Sequence, residues 1–293
     1  MHRFLIPLVL LLMSFTPARA EPLTIVASFS IIADMAEKIG GPRVTVASLI
    51  PRATDPHVFQ PSPNDARLLQ SAQIIFINGL GLEGSVERLI ASTGQSKKQV
   101  VLSKKITPLH LVENGQDHGE DPHAWHDVRN AKLYSEAIRD ALILADPQGR
   151  EDYNQRAQDY LQALDALDAE IRRDLASIPP ERRVIVTNHD AFHYFARAYQ
   201  ITMLAPQGVS TETEPSARDI ARVIKQIRAQ KIPAVFLENV ADPRLMAQIS
   251  RETGAKIGNP LFTDSLSVEN GPAPTYIDMM RANLASFTKA LRP

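Results

Sequence analysis

The sequence predicts an α/β fold of two lobes, each with a mostly parallel sheet flanked by helices, joined by one long rigid helix. Short β-rich runs alternate with segments of helical length and spacing in both halves of the 293 residues. Such alternation is typical of parallel sheets covered by helices. A stretch without Gly or Pro separates the halves. The chain is longer than one hydrophobic core usually requires and long enough to form two lobes.

The start of the chain has the features of a secretory signal. A positive start at His2 and Arg3 precedes an almost wholly apolar run at residues 5–15. Ala18-Arg19-Ala20 follows as a small-x-small cleavage site. The apolar run is too short to span a bilayer. We therefore expect this segment to be cleaved and the mature chain to be periplasmic.

The composition excludes several classes of protein. The 32 basic residues fall to 30 when Arg3 and Arg19 leave with the signal, against 33 acidic residues, so the mature charge is −3. A protein that binds nucleic acid or an anionic membrane usually has an excess of basic residues, so this charge balance does not indicate either function. The chain has no cysteine, which excludes disulfides, a lipid-anchor cysteine and thiolate metal sites. Any metal must therefore be held by nitrogen and oxygen.

The candidate strands form two groups of four. Those of the first half are Leu23–Phe29, Val44–Ile50, Gln73–Ile77 and Gln99–Leu102. Those of the second half are Val184–Thr187, Ile201–Leu204, Ala234–Leu237 and Lys256–Ile257.

One amphipathic helix is predicted between the two groups, from Asp152 to about Ser177. Its apolar positions recur at intervals of three and four residues, and Pro179-Pro180 ends it. A coiled-coil dimer is the alternative, but the apolar stripe is short for one, so we interpret the helix as an intramolecular link in a monomer. The expected segments are 1–20 (signal), 21–148 (N-terminal lobe), 149–178 (linking helix) and 179–293 (C-terminal lobe).

The tripeptide Asp-Pro-His occurs twice, at Asp55-Pro56-His57 and at Asp121-Pro122-His123. Proline fixes its own φ and pushes the preceding residue toward extended geometry. A histidine after so stiff a dipeptide loses little further freedom when it binds a ligand. Each turn alone is more simply explained by a solvated histidine.

Two further polar residues follow predicted strands of the second half. His189 lies at a strand-to-helix turn, and Asp264 comes after the last strand. Ligands of open α/β folds bind beyond the carboxyl ends of the strands, so these two and the histidines of the two turns could meet in a cleft between the lobes. Three imidazoles and a carboxylate suit zinc, whereas manganese prefers more oxygen. On pattern alone, a metal site and ordinary turn residues remain equally good explanations.

The chain resembles the zinc- and manganese-binding solute receptors of bacterial ABC transporters over nearly its whole mature length. The stretches that carry the resemblance are Asp55-Pro56-His57, Pro61–Asp65, Asn78-Gly79-Leu80-Gly81-Leu82-Glu83, Asp121–Trp125, His189–Phe195, Ser210–Ser216 and Asp264-Ser265-Leu266.

The resemblance implies a function and a ligand set. The family's four metal positions fall on His57, His123, His189 and Asp264, and a histidine at the third position favours the zinc branch. The chain would then be a periplasmic receptor that carries Zn²⁺ as cargo to a membrane permease and catalyses no reaction. A manganese receptor of the same family, a secreted zinc hydrolase and a metal-buffering surface module are the alternatives.

Four other residues near this set have open roles. The loop from Glu113 to Asp121 is short for a zinc receptor and has His118 as its only histidine, so we do not expect a large second zinc store. His126 could be an outer partner of a ligand, a weak capture site or a solvated side chain. For His193, packing at the lobe surface is a simpler interpretation than metal binding. Glu238 ends a strand and could support a ligand from behind.

Overall fold

The computed structural model describes residues 21–113 and 116–292, and it confirms two α/β lobes joined by a long helix. The predicted signal, residues 1–20, and the side chain of His118 lie outside the described part of the chain.

A four-stranded parallel sheet, in the order β2-β1-β3-β4, forms the N-terminal lobe. Its strands are β1 (Leu23–Ala27), β2 (Val44–Ser48), β3 (Ile74–Ile77) and β4 (Gln99–Val101). The central strands β1 and β3 are almost wholly buried, as expected for a parallel sheet with both faces covered by helices. All four predicted strands are present, within two residues of the predicted ends.

The strands of the C-terminal lobe are shorter and pair in parallel as β7 with β8 and β9 with β10. Their bounds are β7 (Val184–Val186), β8 (Thr202–Leu204), β9 (Ala234–Val235) and β10 (Lys256–Ile257). The Phe236 amide donates to the Val186 carbonyl at 2.8 Å and so joins the two pairs.

Nine α-helices surround these sheets in the described part of the chain, and none of them is long and apolar enough to cross a membrane. The helices are α1 (Ser30–Gly40), α2 (Pro63–Ser71), α3 (Gly84–Ser92), α4 (Val128–Ala145), α5 (Arg150–Ala176), α6 (His193–Tyr199), α7 (Ala217–Gln230), α8 (Pro243–Thr253) and α9 (Tyr276–Leu291).

The linking helix α5 has 27 residues and buries one apolar stripe. The buried residues are Tyr153, Ala157, Tyr160, Leu164, Leu167, Ile171 and Leu175, which are the positions that the three- and four-residue spacing predicts. This stripe packs against α1, α4 and α9 of the same chain. Because those neighbours already cover it, the coiled-coil alternative has no apolar face to use.

An antiparallel hairpin, β5 (His110–Glu113) and β6 (Gln116–Glu120), was not predicted. The β6 sequence Gln-Asp-His-Gly-Glu has no apolar residue and no β-branched residue, so neither composition nor alternation indicates a strand. After the hairpin, the Asp121 amide donates to the Leu109 carbonyl at 2.9 Å. The hairpin thereby delivers the second Asp-Pro-His turn to the edge of the N-terminal lobe.

The segment between the last strand and α9 crosses back onto the N-terminal lobe. The Leu266 amide donates to Ser30 Oγ at 3.0 Å, and the Tyr276 amide donates to Asp34 Oδ2 at 2.9 Å. Trp125 Nε1 donates to the Thr263 carbonyl at 3.0 Å. Asp264 therefore lies where the two lobes meet.

Candidate metal centre

Four side chains from four separate segments converge between the lobes. His57 lies in the loop between β2 and α2, and His123 follows the β5–β6 hairpin. His189 comes three residues after β7, and Asp264 follows the crossing from the C-terminal lobe. One nitrogen or oxygen from each lies within 4.8 Å of those of the other three. All four residues named from the sequence are thus brought together.

The spacing of these atoms matches the edges of a small coordination polyhedron. His123 Nε2 lies 3.2 Å from His57 Nε2 and 3.4 Å from His189 Nε2. Asp264 Oδ1 is 3.3 Å from His123 Nε2, and Oδ2 is 3.2 Å from His189 Nε2. Four donors at zinc bond lengths would be separated by about 3.3 Å in a tetrahedron. His57 Nε2 lies 4.0 Å from Asp264 Oδ2.

Carboxylates hold two of the imidazoles from behind. His123 Nδ1 donates to Asp121 Oδ1 at 2.7 Å, and His189 Nδ1 donates to Glu238 Oε2 at 2.5 Å. With the proton fixed on Nδ1, each ring directs the lone pair of Nε2 into the site. This arrangement orients a metal-binding imidazole and raises its basicity. Glu238 therefore has the supporting position that the sequence suggested for it.

The carboxylates also set the charge of the histidines in the absence of metal. Burial alone would lower the pKa of His123, but Asp264 and Asp121 raise it to about 9. Burial likewise opposes protonation of His189, whose pKa Glu238 and Asp264 nevertheless hold well above the usual value. For His57, burial lowers the pKa to about 3. Without metal, the carboxylates therefore favour the protonated forms of His123 and His189, whereas burial favours the neutral form of His57.

Asp264 is the only carboxylate of the converging set, and its environment suits a cation. The side chain is fully buried, and Oδ1 finds no hydrogen-bond partner among the described residues. Burial raises its pKa, but His189 and His123 hold the pKa well below the usual value. A buried carboxylate without a full set of donors is costly unless a positive charge lies beside it. Protonated His123 and His189 supply that charge without metal, and a divalent ion among the three nitrogens would take their place.

Protein encloses the site on almost all sides. The side chains of His123 and Asp264 are fully buried, and only 5% of the His57 side chain is exposed. The Trp125 ring lies 5.4 Å from the His123 ring, and the Tyr194 hydroxyl donates to the Asp121 carbonyl at 3.1 Å. Trp125 therefore packs beside the His123 ring, and Tyr194 holds the backbone of the turn that carries His123.

His126 and His193 lie outside the converging set. His126 is fully buried with its ring 4.5 Å from that of Phe192, and burial lowers its pKa to about 3. The alternative of a solvated side chain is therefore wrong for His126. His193 is about one-third exposed, as expected for the lobe surface, and its Nδ1 lies 3.2 Å from Asp121 Oδ2. Helix α6 begins at His193, so His189 precedes the helix.

Comparison with known proteins identifies the family. The profile of the family described as "Zinc-uptake complex component A periplasmic" matches residues 25–290. The chain belongs to this family. Its members are extracytoplasmic metal-binding receptors of ABC-type importers, which work with a membrane permease. They are receptors and not enzymes, so the hydrolase alternative is set aside.

Named relatives in this family differ in their metal. The chain is 37% identical over 276 residues to the "Manganese-binding lipoprotein MntA" of Halalkalibacterium halodurans, covering 94% of this chain and 91% of that protein. It is also 37% identical over 270 residues to the "Iron-binding protein YfeA" of Yersinia pestis, covering 92% and 86% of the two chains. A solved structure, the periplasmic zinc-binding protein TroA from Treponema pallidum, superposes with a TM-score of 0.88 at 32% identity, covering 94% of this chain and 100% of that one.

Proposed function

We propose that this family member is a zinc receptor, with His57, His123, His189 and Asp264 as the ligands of one Zn²⁺ ion. The observation that carries the proposal is the convergence of three Nε2 atoms and a carboxylate at separations of 3.2–3.4 Å for the nearest pairs. Zinc accepts such a tetrahedral set of nitrogen and oxygen donors. The superposition with TroA agrees with the same metal.

Manganese is the second candidate, and two observations favour it. Relatives at 37% and 32% identity are named as manganese-binding proteins. Both carboxylate oxygens of Asp264 also approach imidazole nitrogens, so the side chain could bind through both oxygens and raise the number of oxygen ligands. An argument against this candidate is that Mn²⁺ lies low in the affinity order for divalent ions at a given nitrogen and oxygen site.

Competition with a chelator of known strength separates the two candidates. Metal-free protein is titrated with Zn²⁺ and with Mn²⁺, and we expect one Zn²⁺ to bind tightly and Mn²⁺ to bind far more weakly. Alanine at each of the four ligand positions should weaken Zn²⁺ binding strongly, whereas His193→Ala should weaken it far less. Equal affinity for the two ions would contradict the zinc assignment.

We further propose that residues 1–20 are cleaved and that the mature protein is a periplasmic monomer. Its lobes would comprise residues 21–148 and 179–293. The stripe of the linking helix, covered within one chain, supports the monomer. Light scattering of the mature protein, with and without Zn²⁺, tests this oligomeric state.

A further inference from the structure

The segment Asn78-Gly79-Leu80-Gly81-Leu82-Glu83 contributes no atom to the converging set, although it is among the stretches that mark the family. It forms the turn from β3 to α3, where Gly79, Leu80 and Gly81 have φ values of 83°, 56° and 80°. The left-handed region is costly for a leucine. A Cβ atom at position 79 would lie 2.6 Å from Val101 Cγ1. Such a turn persists only where its surroundings hold it.

The carboxylate of Glu83 holds this turn from inside the lobe. It is fully buried, and Oε1 accepts from Ser28 Oγ at 2.6 Å and from the Asn78 amide at 2.6 Å. Oε2 accepts from the Gly79 amide at 3.1 Å. Asn78 is therefore fixed at the carboxyl end of β3, and Glu83 faces the turn and not the metal centre.

The side chain of Asn78 links the turn to the second Asp-Pro-His motif. Its Nδ2 donates to the Gly79 carbonyl at 2.9 Å and to the Pro122 carbonyl at 2.9 Å. The Tyr134 hydroxyl donates to its Oδ1. Because carbonyl oxygens can only accept, these partners fix which end of the amide faces Pro122.

The Pro122 carbonyl belongs to the peptide bond that leads into His123. Asp121 Oδ1 accepts from the His123 amide at 2.9 Å and from the ring Nδ1 at 2.7 Å. On the other side, Asn130 donates to the Ala124 carbonyl at 3.0 Å. The peptide group that leads into His123 and the peptide group that follows Ala124 are thus both held by side chains of the N-terminal lobe.

The first Asp-Pro-His turn is held differently. Asp55 Oδ1 accepts from the His57 amide at 2.9 Å, as in the second turn. Its other oxygen accepts from Thr211 Oγ1 at 2.6 Å, and Thr211 belongs to the C-terminal half of the chain. Asp121 also contacts the C-terminal half, since its Oδ2 lies 3.2 Å from His193 Nδ1. The second turn differs in being anchored as well by the buried Asn78 of its own lobe.

We propose that Asn78, anchored by Glu83, is a positioning residue that sets the direction in which His123 presents Nε2 to the metal. The inference rests on the proposed function, because it requires His123 to be a ligand. It assigns a role to a family motif that touches no ligand atom. It also implies that the position of His123 is fixed before the metal arrives.

Asn78→Asp is the sharpest variant for a test. Aspartate has nearly the same shape and keeps the acceptor for Tyr134, but an ionised carboxylate cannot donate to Pro122. We expect Zn²⁺ affinity, measured by chelator competition, to fall about 10–100-fold, as for other outer partners of metal ligands. The visible absorption spectrum of bound Co²⁺ should also change, because it reports the geometry of the donor set.

Ile249→Ala is the matched control for loss of stability. Ile249 is fully buried in a separate apolar cluster of the C-terminal lobe. We expect this variant to melt at a lower temperature while Zn²⁺ affinity and the Co²⁺ spectrum stay unchanged. Zn²⁺ affinity of Asn78→Asp within twofold of the unmodified protein would overturn the proposal. An equal loss of affinity in Ile249→Ala would also overturn it.

Two further variants complete the design. If Asn78→Asp does not fold, Tyr134→Phe removes one partner of the same amide and should weaken Zn²⁺ binding to a smaller extent, and unchanged affinity there overturns the proposal. His123→Ala separates this inference from the proposed function. A strong loss in His123→Ala with no loss in Asn78→Asp removes only the positioning role, whereas no loss in His123→Ala removes the ligand assignment itself.

Discussion

Protons and a metal ion compete for the same nitrogen atoms at this centre. Asp264, Asp121 and Glu238 form a buried anionic shell around the three imidazoles. In metal-free protein that shell keeps His123 and His189 protonated, since it raises both of their pKa values. A divalent ion that displaces those two protons leaves the charge of the buried site unchanged. Either occupant therefore supplies the same two positive charges to the buried carboxylates.

Proton release on metal binding tests this exchange. Because metal binds neutral imidazole, the two protonated rings should release about two protons per Zn²⁺ at pH 7.5, and His57, with a pKa of about 3, should release none. Calorimetric titrations in buffers of different ionisation enthalpy measure this number. Zn²⁺ affinity should accordingly fall as the pH is lowered from 9. Release of fewer than one proton would contradict the assigned charges.

Removal of one carboxylate of the shell should change both the affinity and the proton count. In Glu238→Gln the amide keeps the size of the side chain but loses the charge that raises the pKa of His189. We expect Zn²⁺ affinity to fall about 10–100-fold and proton release to decrease. Glu37→Gln, on the exposed side of α1, is the control and should change neither quantity. Unaltered proton release in Glu238→Gln would mean that Glu238 does not control the charge of His189.

The converging residues could be named as candidates because each follows a strand or a proline turn, but only the resemblance to the metal receptors favoured a metal site over ordinary turn residues. The burial of His126 could not be predicted in the same way. Nothing in Trp125-His126-Asp127 indicates that the imidazole packs on Phe192, because Phe192 is distant in sequence. The link between Asn78 and Pro122 spans 44 residues and depends on tertiary packing that brings the turn after β3 next to the turn after the hairpin.

Among the elements, the linking helix is where sequence and structure agree most closely. All seven residues of the predicted stripe are buried, because a spacing of 3.6 residues per turn leaves only one face available for packing. The hairpin β5–β6 is the opposite case. It is held by pairing of β5 with β6, which has no apolar residue, and pairing of that kind leaves no periodic signal in the sequence.

The buried stripe of α5 predicts a loss of stability on truncation. Leu167→Ala should lower the free energy of unfolding of chelated protein by about 2–5 kcal/mol, because the side chain is fully buried and its removal leaves a cavity. Gln162→Ala, on the exposed face of the same helix, should change it by less than about 0.5 kcal/mol. Urea denaturation measures both values. Equal effects of the two substitutions would contradict the packing described for this helix.

Across the whole molecule, the converging residues depend on contacts between lobes and not on either lobe alone. His57 is tied to the C-terminal half through Asp55 and Thr211, and the segment after Asp264 is tied to the N-terminal lobe through Leu266 and Ser30. The division into two α/β lobes follows from strand and helix patterns. The contacts between the lobes could not be predicted from those patterns, since they join residues that lie 156 and 236 positions apart in the sequence.

Metal-free protein should remain folded, because both lobes have apolar cores that include no residue of the metal centre. Its stability should nevertheless depend on pH. The pKa of His123 is about 9 in the folded chain and about 6.5 in the unfolded chain. The stabilisation that comes from its protonation is therefore complete below pH 6.5 and is lost as the pH rises through 9. Zn²⁺-bound protein holds neutral imidazoles and should not lose stability in this way.

Urea denaturation at pH 7.5 and pH 9 measures this dependence. We expect chelated protein to be less stable at pH 9 than at pH 7.5, and Zn²⁺-bound protein to lose less stability between the two values. In chelated His123→Gln, which lacks the titrating group, the difference should be smaller. Glu83, whose burial raises its pKa to about 7, is mostly ionised by pH 7.5 and contributes little above it. Loss of circular dichroism on chelation at neutral pH would instead indicate a structural zinc site, which a receptor that releases its ion could not use.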